Sequence, residues 1–156
     1  MPARVLYAAA LPLLSAALLV AVATPSECAT SDSPRVQALR RQNSGFQMAR
    51  HGQLTEAIAE YDAGIALDPS VSSLYYSRGL AYFELREYET ALADFNKAIE
   101  LESDEPQYYY QRAVVYDVLG SPDLARTDLQ TVLSMTSDPD FVYPAQNLLA
   151  RIIGGD

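Results

Sequence analysis

Gly45, Gly79 and Ala113 stand 34 residues apart, and the same interval recurs at several other levels of the chain. Met48, Tyr82 and Tyr116 follow in register, then Ala57, Ala91 and Ala125, then Tyr61, Phe95 and Leu129, then Gly64, Ala98 and Val132. A fixed period of this length, kept through three units without insertion, means one supersecondary unit stacked on copies of itself. The units are 38–71, 72–105 and 106–139. Each holds apolar residues at helical spacing twice. In the second unit Tyr75, Gly79, Tyr82 and Leu85 share one face, and after a break Leu92, Phe95, Ile99 and Leu101 share another. The breaks fall at Gly52, at Arg86-Glu87 and at Gly120-Ser121-Pro122, where the last triplet supplies a C-cap glycine, a capping serine and a first-turn proline. The units are therefore helical hairpins, and the fold class is all-α. Small residues at the Gly79 and Ala91 levels let two helices approach while Tyr82 and Phe95 fill the gap. Arg86 occupies the turn position that is glycine in the other two units, where a left-handed backbone would cost about 1 kcal/mol.

The motif Arg-Gly-x2-Tyr…Ala-x3-Phe over 78–95, with its 34-residue period, resembles the tetratricopeptide repeat, and the resemblance covers 38–139. It implies a right-handed α-solenoid of three hairpins. The first unit departs most, with Arg41 at the opening aromatic position and Ser44 before the glycine. The closing proline occurs only as Pro69, with Ser103 and Ser137 at its other two places. Arg78 and Arg112 also replace an apolar residue, yet Asp94 and Asp128 follow each by 16 residues on the second helix. Two Arg–Asp pairs, buried or half-buried, are expected there. Residues 140–156 form a capping segment, with Phe141, Leu148, Leu149, Ile152 and Ile153 on a short helix expected to begin at Pro144 and stop at Gly154-Gly155.

The resemblance further implies a protein-binding module whose first helices line a concave groove. The inward positions are then Gln42 and Phe46, then Tyr76, Leu80 and Phe83, then Tyr110, Val114 and Asp117, a mostly aromatic channel suited to an amphipathic helix or an extended apolar peptide. A subclass of these domains clamps the C-terminal carboxylate of chaperones with cationic and amide side chains. The matching positions here are Gln42, Phe46, Ser77, Gln107 and Gln111, and none is cationic, so that ligand class is not expected. An alternative use of the groove is self-association, with a neighbour's helix as the occupant, making the chain a homo-oligomeric organiser.

Composition narrows the chemistry. With one His, one Cys and no Trp among 156 residues, neither a His-based triad nor a four-Cys zinc site can be assembled from one chain. No phosphate loop, dinucleotide turn or metal-binding helix motif is present. No enzyme activity, cofactor or metal is expected. Twenty acidic against eleven basic residues leave a formal charge of −9, which disfavours nucleic acid and anionic lipid as partners. Glu84, Glu87, Glu89, Glu100, Glu102, Asp104 and Glu105 give the second unit an acidic exterior without calcium-loop spacing, and this is expected to be a solvated face. His51 falls at the first hairpin turn in a structural role.

Residues 1–23 are a separate object. Only Pro2, Arg4, Pro12 and Ser15 interrupt their apolar run, and without them the apolar share of the chain drops from 49% to about 43%, ordinary for a soluble domain. Arg4, the apolar stretch 5–23 and small Ala21-Val22-Ala23 follow the pattern of an export signal, cleaved after Ala23 or retained as a membrane anchor. The rest is expected outside the cytoplasm, periplasmic or secreted, touching membrane only through 1–23. Residues 24–37 are expected to form a flexible linker. Cys28 lies there, preceded by Pro25 and Glu27, which do not fit a lipidation motif.

Overall fold

The computed structural model describes residues 33–154. The expected signal or anchor over 1–23, most of the linker and Cys28 lie outside the described residues. Within them the chain forms seven helices and no strand: α1 (Pro34–Arg50), α2 (Leu54–Leu67), α3 (Ser72–Glu84), α4 (Tyr88–Leu101), α5 (Pro106–Val118), α6 (Pro122–Met135) and α7 (Pro139–Gly154). The first six pair as hairpins α1–α2, α3–α4 and α5–α6. Each second helix then packs on the first helix of the next pair, and α7 closes the series on α6 and α5. The result is an all-α tetratricopeptide-type solenoid.

The hairpin turns follow from the breakers. Gly52 (φ 77°), Arg86 (φ 64°) and Gly120 (φ 68°) all take the left-handed conformation that ends a helix. The following amide then returns to the preceding helix: Gln53 N donates to Met48 O at 3.0 Å, Glu87 N to Tyr82 O at 2.9 Å and Ser121 N to Tyr116 O at 2.8 Å. Ser121 stands at the N-cap of α6, but its side chain makes no capping bond, contrary to expectation. Pro122 opens that helix with the fixed φ the first turn needs.

Two boundaries differ from the sequence reading. Residues 34–37, assigned to the linker, are the first turn of α1, because Ser33 accepts a bond from Val36 N at 3.4 Å and Pro34 occupies the first helical position. The last helix begins at Pro139, five residues before Pro144, which lies inside it. Asp138 starts it by accepting from the amide of Asp140 through its side chain and from Val142 through its carbonyl.

The core is a series of interfaces. Ala38, Ala57 and Tyr61 of the first hairpin are buried together with Val71, Leu74 and Ala81, which belong to the start of the second. Ala91 and Phe95 meet Val115 of α5, and Tyr75 and Ala98 meet Tyr108. Ala113, Ala125, Leu129 and Val132 are covered by Ala145, Leu148 and Ile152 of α7. The capping helix is thus sealed intramolecularly.

Within each hairpin, residue size is matched across the helix pair. A Cβ added at Gly45 would stand 2.5 Å from the Tyr61 ring, and one at Gly79 2.8 Å from the Phe95 ring. The third hairpin has Leu129 at the ring position and tolerates Ala113 opposite it, with both residues fully buried. Gly79→Ala should therefore destabilise the domain by about 1–3 kcal/mol through overpacking. Gly79→Ala combined with Phe95→Leu, which recreates the third hairpin's pair, should lose less than the two single changes added together, as read by urea unfolding. At the exposed second turn, Arg86→Gly should raise stability by about 0.5–1 kcal/mol by removing left-handed strain. A lowered melting temperature would contradict that account.

Candidate functional site

The helices α1, α3 and α5 carry every residue expected in the groove, and the structure sorts these residues into used and available. Gln42 is used. Its amide donates to Ser73 O at 2.9 Å and to Ser77 Oγ at 3.0 Å, and its carbonyl accepts from Ser73 Oγ at 3.1 Å, so the side chain ties α1 to α3. Both of its amide protons are therefore taken up within the domain, and only the second lone pair of its carbonyl remains for a ligand. Tyr76 is also drawn into packing. Its ring lies 5.0 Å from that of Tyr108 and 5.9 Å from that of Phe95, spanning the second and third hairpins. Burial raises its phenol pKa, with Gln111 acting in the opposite sense. Phe83 packs against Tyr88 in a tilted ring contact, with centroids 5.5 Å apart. Asp117 is held by Arg151 of α7 at 2.5 Å, an ion pair that closes the far end of the groove and that spacing alone did not reveal.

Where the sequence implied one continuous aromatic channel, the described residues include two separate concavities. The first, of about 180 Å³, lies between α1 and α3, with Phe46, Leu54, Leu80 and Ala81 as its apolar walls and Tyr61 beneath. Arg50 and Glu84 stand on opposite sides of it, and Phe46 is 53% exposed with the Arg50 guanidinium 6.0 Å from its ring. The second, about 480 Å³ and more open and polar, lies between α5 and α7 and is walled by Tyr110, Val114, Pro144, Asn147, Leu148 and Arg151. Tyr110 and Val114 are half-buried against the core that α7 covers. Of the remaining positions equivalent to a carboxylate clamp, Ser77 bonds Ser73 O at 2.8 Å and Gln107 bonds Glu105 at 3.4 Å. Among the described residues no group of three His, Cys, Asp or Glu side chains is arranged to hold a metal ion.

Behind the groove, two arginine forks set the stacking. Arg78 Nε donates to Asp94 Oδ2 at 2.8 Å and Nη2 to Oδ1 at 2.6 Å. Arg112 repeats this on Asp128 at 2.8 and 2.7 Å. Both aspartates are buried. The third nitrogen of each fork reaches back to the preceding hairpin: Arg78 Nη1 donates to Asp62, and Arg112 Nη1 to Asn96 Oδ1 at 2.7 Å. These backward partners lie 16 residues before each arginine, mirroring the 16-residue interval to the forward partners, a signal the sequence held. Tyr75 supports Arg78 at 5.6 Å, and Tyr109 supports Arg112 at 5.5 Å, each in cation–π contact. The hydrogen bonds to Asp94 and Asp128 are the main cause of the raised pKa of each guanidinium. The first hairpin has Ser44 in place of the arginine. There Arg41, standing at the register of Tyr75, instead bonds Glu60 at 3.1 and 3.2 Å, which explains its departure from the repeat pattern.

A ladder of helical hairpins whose first helices line one side defines the class of repeat scaffolds that present a surface rather than a reaction centre. The tetratricopeptide-repeat profile matches residues 72–105, and a second TPR-repeat profile matches 49–86. Residues 49–105 thus carry tetratricopeptide repeats, and the fold around them is the solenoid such repeats build. Among solved structures it is similar to the first TPR of Spaghetti (RPAP3) bound to the HSP90 peptide SRMEEVD, with 28% identity, a TM-score of 0.73, and coverage of 80% of this chain and 94% of that one. It is also similar to the second TPR domain of human RPAP3 in complex with the HSP70 peptide SGPTIEEVD, at 28% identity and TM-score 0.70, covering 77% and 98%. MamA shares the fold at 24% identity and TM-score 0.69, covering 76% of this chain and 67% of its own.

Arg78→Leu should destabilise the domain by about 3–5 kcal/mol, because it leaves Asp94 buried without its cation. Arg78→Leu with Asp94→Leu should recover a large part of that loss. Equal unfolding midpoints for the single and double variants would mean that the fork contributes no coupling.

Proposed function

We propose that the chain is an exported, non-catalytic adaptor, periplasmic or secreted, that binds a segment of another protein on its concave side through an apolar anchor residue. The cavity between Phe46 and Leu80 carries this reading. It is apolar on its walls, open to solvent, and bordered by a half-exposed aromatic ring, the combination that takes a single aliphatic or aromatic side chain in a peptide complex. Arg50 and Glu84 on its two sides suit a segment with polar flanks of either sign, as an amphipathic helix or an extended peptide has. Peptide binding by domains of like fold supports the class of ligand: the RPAP3 domains above were solved with chaperone peptides. The mode differs, because Gln42, Ser77, Gln107 and Gln111 are uncharged and the first three already bond within the domain, so the anchor is a side chain and not a terminal carboxylate. Export rests on Arg4, the apolar run 5–23 and the small residues at 21–23.

Selection of displayed peptides on the purified protein tests this. The enriched sequences should share one large apolar residue. Phe46→Ala together with Leu80→Ala should weaken their binding by about thirtyfold, the order of a hot-spot loss of about 2 kcal/mol, with the fold retained by circular dichroism. Equal binding to wild type and variant sinks the anchor. Light scattering on the same samples separates the rival use of the groove, since a mass that rises with concentration and falls in the variant would assign it to a second copy.

A further inference from the structure

Tyr61 places a hydroxyl where its counterparts in the other two hairpins, Phe95 and Leu129, carry none. The residue is 2% exposed, yet no described residue forms a hydrogen bond with its phenol. Its side chain lines the cavity between α1 and α3, and the hydroxyl opens onto that space rather than being sealed in the core. Glu84 borders the same cavity and is the charge that acts on the phenol. Burial first, and Glu84 second, hold the phenol pKa above its ordinary value, so the hydroxyl stays neutral and can both donate and accept. A buried polar group facing a cavity without a partner is a group that a ligand can satisfy.

The repeat register accounts for the shape of the cavity. In the second hairpin Phe83 and Tyr88 meet ring to ring and, with Val115 of the next hairpin, pack on Phe95. One period earlier the same three positions around Tyr61 hold Ala49, Leu54 and Ala81, each smaller than its counterpart. The space that a pair of rings fills at one interface is thus left open at the other. Aromatic volume is missing there, and a hydroxyl faces the gap. Resting on the anchor reading above, we infer that the cavity selects a tyrosine side chain of the bound segment. Its ring takes the place between Phe46, Leu54 and Leu80, and its hydroxyl meets that of Tyr61, with the Glu84 carboxylate as a further acceptor beside them. A leucine or phenylalanine anchor fills the same walls but displaces solvent from the Tyr61 hydroxyl without replacing its hydrogen bond, which disfavours it.

Peptides enriched on the purified protein from a fully random displayed library should therefore share a tyrosine at one position. For a synthetic peptide of that set, replacing this tyrosine with phenylalanine should weaken binding to the wild-type protein about tenfold, read by fluorescence anisotropy. Tyr61→Phe installs the ring that the second hairpin already accommodates as Phe95 opposite Gly79, so it keeps the fold. This variant should bind the tyrosine and phenylalanine peptides alike. Ala49→Phe with Leu54→Tyr, which recreates the ring pair of the second hairpin, should close the cavity and abolish binding of both peptides with helical content unchanged. Tyrosine preference that survives in Tyr61→Phe overturns the inference. So does enrichment of leucine or phenylalanine with binding still lost in Phe46→Ala with Leu80→Ala, a result that leaves the apolar anchor standing. Equal binding of every peptide to wild type and to Phe46→Ala with Leu80→Ala removes the anchor itself, and the selection of tyrosine with it.

Discussion

Each hairpin of this solenoid buries its apolar face only against the next hairpin, and every other feature of the structure answers to that dependence. Leu74 is buried by the first hairpin, Val115 by the second, and Leu129 and Val132 lie under α7. Stability in such a chain is close to a sum of neighbour interfaces, so the two ends need special treatment. One end is closed by α7, whose Ala145, Leu148 and Ile152 complete the third hairpin. At the other end α1 has Arg40 and Gln47 where an interior helix has buried leucine and alanine.

Hydrophobic contact brings neighbouring hairpins together but fixes their relative angle poorly. The arginine forks supply the missing direction, since a planar guanidinium that meets one carboxylate in two parallel bonds, and a third acceptor on the neighbouring hairpin, tolerates little rotation. The interfaces on either side of the second hairpin hold the same device at the same register. Conservation of that angle along the stack keeps α1, α3 and α5 aligned and hence shapes the concave side. The forks also place charge near the interior without stranding it, because both buried aspartates have their cation.

The repeat pattern made the hairpins, their turns and the arginine partners on the second helix legible, since each depends on residue types at intervals along the chain. The groove was legible only as a list of positions facing the same way. Gln42 reads as a contact residue until Ser73 and Ser77 are seen to satisfy it, and Tyr76 reads as an anchor until its ring is found between Phe95 and Tyr108. Both were missed for one reason: spacing says which side of a helix a residue occupies but not how close the neighbouring hairpin comes. The start of α7 was misplaced because Pro144 is a strong local signal for a first turn, and it was overridden by capping at Asp138 together with burial of Ala145 and Leu148.

The amino-acid sequence by itself determined that this chain is a stack of helical hairpins, because periodicity, small-residue placement and turn glycines act over distances that the backbone spans locally. It also set the chemical character, acidic overall, with arginine gathered on the first helix and little His or Cys. Tertiary structure decided which of the inward side chains remain available. Concavities remain between Phe46 and Leu80 and beside Arg151, whereas Gln42 and Tyr76 are taken up in packing and hydrogen bonds. That outcome depends on interhelical distances of a few ångströms, which arise only when all the hairpins are in place.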